Sequence, residues 1–264
     1  MKNIRWFDRA HYLFVTILIL LLPTGSWGQS TITIFATTNS GRVYSGEENT
    51  YQAAREKETG GGTTDDIYVG QFFNDPNYIV HRSFITFDLS NVDIDSMIIS
   101  SITIDAYGQN DYSTDDFTYA AYTSNYETLT TADYNNFEGW ETGLTEYTPT
   151  LLTDLVNSST YTSGYGNLLT MTEAGEDSCE NHFGGNFQFV YLSTNDIYAI
   201  TPWDLEILSF SKTNKIKLTI SYTSKAEEYV ETGGKSYFGY PPGMKIEPGK
   251  MNKSYIGRTR KKKK

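Results

Sequence analysis

The 264-residue chain carries a formal net charge of −11 and a single cysteine, Cys179, so no disulfide can form within it. Charge is segregated: residues 29–224 hold 7 Lys/Arg against 27 Asp/Glu, a net −20, and residues 225–264 hold 11 against 4. A body this acidic repels nucleic acid and anionic membranes, which excludes both as its partners.

The chain opens with Lys2, Arg5 and Arg9, followed by an uninterrupted apolar run, Leu13–Leu22. Pro23 and Gly25 end the run, and small residues stand at Ser26 and Gly28. This is the layout of a secretory signal peptide over 1–28, cut near Gly28–Gln29. A run of ten residues falls short of the roughly 20 that span a bilayer, and no later segment is apolar enough, so no transmembrane segment is expected after signal removal. The expected location is secreted, extracellular or on the cell surface.

The remainder is rich in Tyr (21 residues), Thr, Asn and Gly. Tyr and Thr suit half-exposed pleated surfaces, whereas Gly and Asn suit the turns between them. Thr31–Thr37 alternates, Arg42–Ser45 is a short strand, and Gly60–Asp66, with three successive glycines, reads as a flexible loop. Strands follow at Ile67–Phe73 and Ile79–Leu89, separated by the turn residues Asn74–Asn77. Ile98–Tyr107 places Ile102, Ile104 and Ala106 on one face, and Phe117–Thr123 repeats the pattern. Leu129–Phe137 reads as a short helical or 3₁₀ turn with a threonine cap, and Leu151–Val156 as one or two helical turns. Phe187–Leu192 and Ile216–Tyr222 close the set, the latter with Ile216, Leu218 and Ile220 inward.

Eight to ten strands with turn signals between them predict an all-β fold, an antiparallel β-sandwich of jelly-roll type over residues 29–223. No long helical pattern supports an alternating α/β fold, and no fixed period supports a solenoid. Residues 224–264, with scattered Gly and Pro and a basic end, read as a flexible tail.

Four stretches carry a family likeness: Thr50–Arg55 (TYQAAR), Ile67–Gln71 (IYVGQ), Arg82–Ser90 (RSFITFDLS) and Ile99–Tyr107 (ISSITIDAY). They resemble the extracellular jelly-roll domains known as DNRLRE domains and related carbohydrate-binding modules, with Arg82, Phe87, Asp88, Leu89 and Ser90 filling one element and Ile99–Ile102 the next. Lys215–Thr223 is similar to their closing strand. The likeness is scattered over residues 31–223; the six-letter string that names the family is absent, and so is the proline that often precedes the last strand. It implies a secreted sandwich acting beside polysaccharide-active or adhesive machinery. Read from the residues alone, Arg82 pairs with a carboxylate and Asp88 accepts turn amides.

Signals for catalysis are weak. Only His81 and His182 follow the leader, no G-x-S-x-G elbow occurs, and Cys179 lacks a nucleophile signature. His81 is expected to be partly exposed. Cys179 and His182 supply only two metal ligands and read as part of a loop. Asp111, Asp115 and Asp116 offer oxygens of the kind calcium takes, against the alternative of a solvated acidic loop. Sugar binding has a physical basis in aromatics beside amides: Tyr112, Tyr134 with Asn135, and Trp140 are the candidate ligand-binding residues. The reading is a secreted non-catalytic carbohydrate-binding or adhesive module whose partner is a polysaccharide or cell-surface glycan. Two alternatives stand beside it: a structural subunit of a surface layer, filament or matrix, and a polysaccharide-degrading enzyme.

Overall fold

The computed structural model describes residues 29–211 and 215–224. The signal peptide read at 1–28 and all of the tail read at 224–264 except Ser224 lie outside the described residues. Twelve strands are present: β1 (Ser30–Phe35), β2 (Gly41–Tyr44), β3 (Gly62–Thr64), β4 (Ile67–Asn74), β5 (Asn77–Asp88), β6 (Met97–Asp111), β7 (Thr118–Thr123), β8 (Val156–Asn157), β9 (Gly166–Thr170), β10 (Asn186–Ser193), β11 (Leu205–Phe210) and β12 (Ile216–Ser224). Three short helices, α1 (Tyr51–Arg55), α2 (Glu173–Glu180) and α3 (Thr194–Ile197), sit between them. The fold is all-β, as the alternation predicts. No helix among the described residues is long and apolar enough to cross a membrane.

Every ladder is antiparallel. The strand order is β1-β12-β6-β11-β4-β5-β10-β7-β8, with β2 on β5, β3 on β2 and β9 on β6. The sheet curls until its two halves face one another, so that Phe210 of β11 stacks on Tyr191 of β10 at 5.8 Å and meets Tyr119 of β7 at 5.9 Å. Ile102, Ile104 and Ala106 of β6 and Ile216, Leu218 and Ile220 of β12 close this inner core against Phe87, Phe187 and Phe189. Each of these isoleucine, leucine and phenylalanine side chains, fully buried, contributes about 1.5–3 kcal/mol over its exposed state.

A second core lies on the opposite face of the same strands. Val43, Val80, Phe84, Ala120, Tyr122, Val190 and Leu192 project outward and are covered by Tyr51 and Ala54 of α1, by Tyr126, Tyr134, Phe137 and Tyr147, and by Ile197 of α3. Strand β5 is therefore buried on both faces from Val80 to Phe87. Half of that stretch is polar, and the buried Arg82, Ser83 and Thr86 each hydrogen-bond within the protein.

Several local expectations change. Gly60–Asp66 is not wholly a loop, because Gly62–Thr64 pairs with β2. A Cβ on residue 62 would stand 2.5 Å from the Tyr44 hydroxyl oxygen, so only glycine lets the strand lie against that ring. Leu151–Val156 is extended rather than helical: Leu151 bridges Tyr122, Thr153 bridges Met171, and Val156 belongs to β8. Cys179 lies buried on α2 rather than in a loop. That helix starts at Thr172, whose hydroxyl accepts from the Gly175 amide at 3.0 Å. His81 is buried, not partly exposed, among the rings of Tyr44, Tyr68 and Phe72. The 3₁₀ turn Thr131–Asn135 forms as expected, with Thr130 and Asp133 capping one another.

A candidate ligand-binding cleft

The loops over the outer core are fastened by two buried arginines and one carboxylate. Arg82, on β5, donates to Asp196 of α3 through Nε at 2.7 Å and Nη2 at 2.9 Å, a two-pronged ion pair with neither side chain more than 2 % exposed. The carboxylate expected for Arg82 is thus Asp196. Burial alone would push the Arg82 guanidinium down, but the Asp196 charge reverses this and the net direction is up. Asp88 also acts as expected, accepting the Ser90 amide at 2.9 Å. Arg55, in the last turn of α1, donates to the carbonyls of Asp196 at 2.6 Å, Leu144 at 2.7 Å and Ile197 at 3.0 Å. Its guanidinium lies 3.6 Å from the centre of the Tyr147 ring, and that of Arg82 lies 4.1 Å from the Tyr134 ring.

This fastening defines a cleft of about 450 Å³. One wall is Asn49–Gln52 with Arg55 and Glu56, a second is Gly143–Thr145, a third is Ala199 and Thr201, and Tyr78 of β5 completes it. Arg55 ties the first wall to the second through Leu144, and to α3, which leads into the third, through Asp196 and Ile197. A second network sits behind the cleft. Tyr51 Oη donates to Gln71 Oε1, and Gln71 Nε2 donates to Glu206 at 3.1 Å and to the Ile200 carbonyl at 2.8 Å. Burial raises the Glu206 carboxyl, while hydrogen bonds from Asn195 and Gln71 act in the opposite sense.

The lining has the chemistry that a polyhydroxylated ligand needs. Tyr78, half-buried, supplies a ring; it packs against the buried Tyr51 with centres 6.1 Å apart and against Phe73, outside the lining, at 4.7 Å. Asn49, Thr145 and Thr201 make no hydrogen bond among the described residues, so their polar atoms remain for a ligand. Glu56 lines the cleft and Glu47 and Glu48 flank it, and the half-buried Lys57 pairs with Glu48. The rim is therefore acidic.

The residues expected to bind ligand do not assemble here. Tyr134 is fully buried, its hydroxyl donating to the Ala54 carbonyl at 2.8 Å, so the structure corrects that assignment: no part of the ring is left for a ligand. Asn135 is engaged on both sides, accepting from Arg82 and donating to the Lys57 carbonyl. Trp140 packs half-buried against the outer core, and Tyr112 is exposed elsewhere, beside Tyr68. Asp111 caps the Ser113 amide at 2.9 Å, and no group of three His, Cys, Asp or Glu among the described residues is placed to hold a metal, so Asp111, Asp115 and Asp116 match the solvated-loop alternative rather than a calcium cage. The residues missed were Tyr51, Gln52 and Tyr78. The signal for Tyr51 and Gln52 was the TYQAAR stretch, a threonine cap followed by a helical turn: Thr50 Oγ1 accepts from the Ala53 amide at 3.1 Å; Tyr78 had none.

A second groove of about 850 Å³ runs along Thr123–Glu127, Asn136–Glu138, His182, Asn186 and Gln188. Its polar groups are largely spent. Glu138 accepts from the hydroxyls of Thr150 at 2.6 Å and Thr123 at 2.9 Å, which lowers its pKa, and Gln188 bonds Tyr126 and Thr86. Compared with known protein families and with curated proteins, the chain matches none.

Proposed function

We propose that this chain is an exported, non-catalytic carbohydrate-binding module, and that the cleft walled by Asn49–Gln52, Gly143–Thr145 and Ala199–Thr201 takes a neutral sugar unit. The observation that carries the reading is the Tyr78 ring beside the amide and hydroxyl groups of Asn49, Thr145 and Thr201, on loops that a buried ion network holds in place. A sugar ring packs its apolar face on an aromatic side chain and spends its hydroxyls on such groups, and a preorganised wall avoids the entropy of ordering loops on binding. The acidic rim disfavours polyanions by Coulomb repulsion. The resemblance to DNRLRE-type and carbohydrate-binding jelly rolls points the same way. The test is a glycan array with and without calcium, followed by Tyr78→Ala, for which affinity for the bound glycan falls about tenfold or more. An array silent under both conditions rejects the reading.

The structural-subunit reading has one observation in its favour. Strand β1 pairs only with β12 among the described residues, and its sequence, STITIF, carries no charge and no proline to blunt pairing with another copy. Sedimentation over a concentration series tests it: a persistent monomer removes it.

A further inference from the structure

Resting on the cleft as a sugar site, we infer that the cleft is the inner end of a longer site for a polysaccharide chain, and that Trp203 with Tyr198 forms its outer part. Three large apolar side chains in six residues stand in solvent: Tyr198 at 53 %, Ile200 at 49 % and Trp203 at 89 % exposed. An indole this exposed adds almost nothing to the core, and clustered exposed apolar groups mark surfaces that meet a partner. The segment is continuous with the cleft, because Ala199 and Thr201, which alternate with the exposed residues, line it.

The strip is also fixed. The Ile200 carbonyl accepts from Gln71, its amide donates to the Asn195 carbonyl at 2.9 Å, and the Tyr198 amide donates to Thr194 at 2.9 Å. Asp204, just beyond Trp203, accepts the Phe73 amide at 3.3 Å, which brings the end of the strip beside the Tyr51–Tyr78–Phe73 row. Ala199 holds a φ of 53°, a left-handed conformation that a non-glycine residue keeps only when its surroundings impose it. Exposed rings on a fixed backbone contact a ligand without first being ordered.

Among partners, a neutral glycan chain fits best. Its sugars present apolar faces to rings in succession, its hydroxyls match the cleft, and it carries no charge for the acidic rim to oppose. A second copy of this chain would bring the same acidic body, net −20 over residues 29–224, against this surface.

The experiment uses the full chain and neutral cello-, xylo- and manno-oligosaccharides, each as disaccharide and hexasaccharide, titrated by calorimetry. The wild type is expected to bind the hexasaccharide of its preferred series about tenfold more tightly than the disaccharide. Trp203→Ala removes most of that gain, leaves the disaccharide affinity unchanged and keeps the urea midpoint. Tyr78→Ala weakens both lengths. Equal affinity for both lengths, or a Trp203→Ala variant that binds the hexasaccharide like wild type, overturns the extended site while leaving the cleft intact. Binding of no oligosaccharide overturns the cleft and the extension together. A wild-type dimer lost in Trp203→Ala by sedimentation assigns the strip to a second copy and overturns the proposal.

Discussion

The two faces of the β5–β10 layer are buried by different means. The inner face is closed largely by other strands, whose backbone groups are satisfied within their own ladders, with Cys179 of α2 and Leu152 joining a mainly aliphatic and aromatic core. The outer face is covered by irregular chain, whose carbonyls have no ladder partner and need donors once water is excluded. Arg55 and Arg82 supply those donors, reaching the carbonyls of Asp196, Leu144, Ile197, Tyr134 and Arg55 itself. The arginine pair is therefore what burial beneath loops requires, and Asp196 compensates part of its charge. A core closed by strands needs only shape, whereas one closed by loops needs a polar framework, and the cleft is built on that framework.

Separating the two means of burial is a matter of substitution. Arg82→Ala leaves Asp196 without its closest partner and is expected to cost about 3–5 kcal/mol in urea unfolding, with loss of glycan binding in whatever folds. Phe189→Ala, on the inner face, is expected to cost a similar ~3–5 kcal/mol while sparing binding by the folded fraction. If both variants lose binding equally, the division between the faces fails. Arg55→Met frees three carbonyls and is expected to cost about 2 kcal/mol, with a larger loss in affinity than in stability. The inner core alone should tolerate it.

A smaller effect depends on pH. His81 is buried beside Arg42, and its Nδ1 has no hydrogen-bond partner among the described residues. Burial first, and the Arg42 charge second, hold its pKa well below the usual histidine range. The folded state then refuses a proton that the unfolded chain accepts, so stability falls as pH drops below about 6.5, by up to about 1.4 kcal/mol per pH unit from this residue. In His81→Phe that slope over pH 5–6.5 should be shallower than in wild type, as read by denaturation at each pH. Smallest of all, Thr50→Ala removes the cap of α1 and should cost about 1 kcal/mol, weakening the cleft through its first wall.

What could be read in the sequence follows the same division. Strands with one clear buried face, β6 through Ile102, Ile104 and Ala106 and β12 through Ile216, Leu218 and Ile220, were legible because their period maps onto a single core. Strand β5 was legible as a strand, but its second buried face was not, since nothing in Ile79–Leu89 says that loops will cover it. Arg82 announced a carboxylate by its chemistry, yet its partner lies 114 residues away. Tyr134 and Trp140 resembled exposed loop aromatics because the stretch around them is polar and irregular. Their burial is set by the segment folding back over the sheet, which no local pattern encodes. The cleft was hidden for the same reason, as its walls are remote in sequence.

That remoteness has a consequence for how the cleft is assembled. Arg55 joins chain positions separated by 89 and 142 residues. Contacts of such span form only after the intervening polypeptide has been threaded and paired, and closing them is slow. An excised peptide carrying one wall lacks the partners that hold the other two. Ligand capture would then switch on in a single step with the last tether, making it a direct readout of a finished molecule.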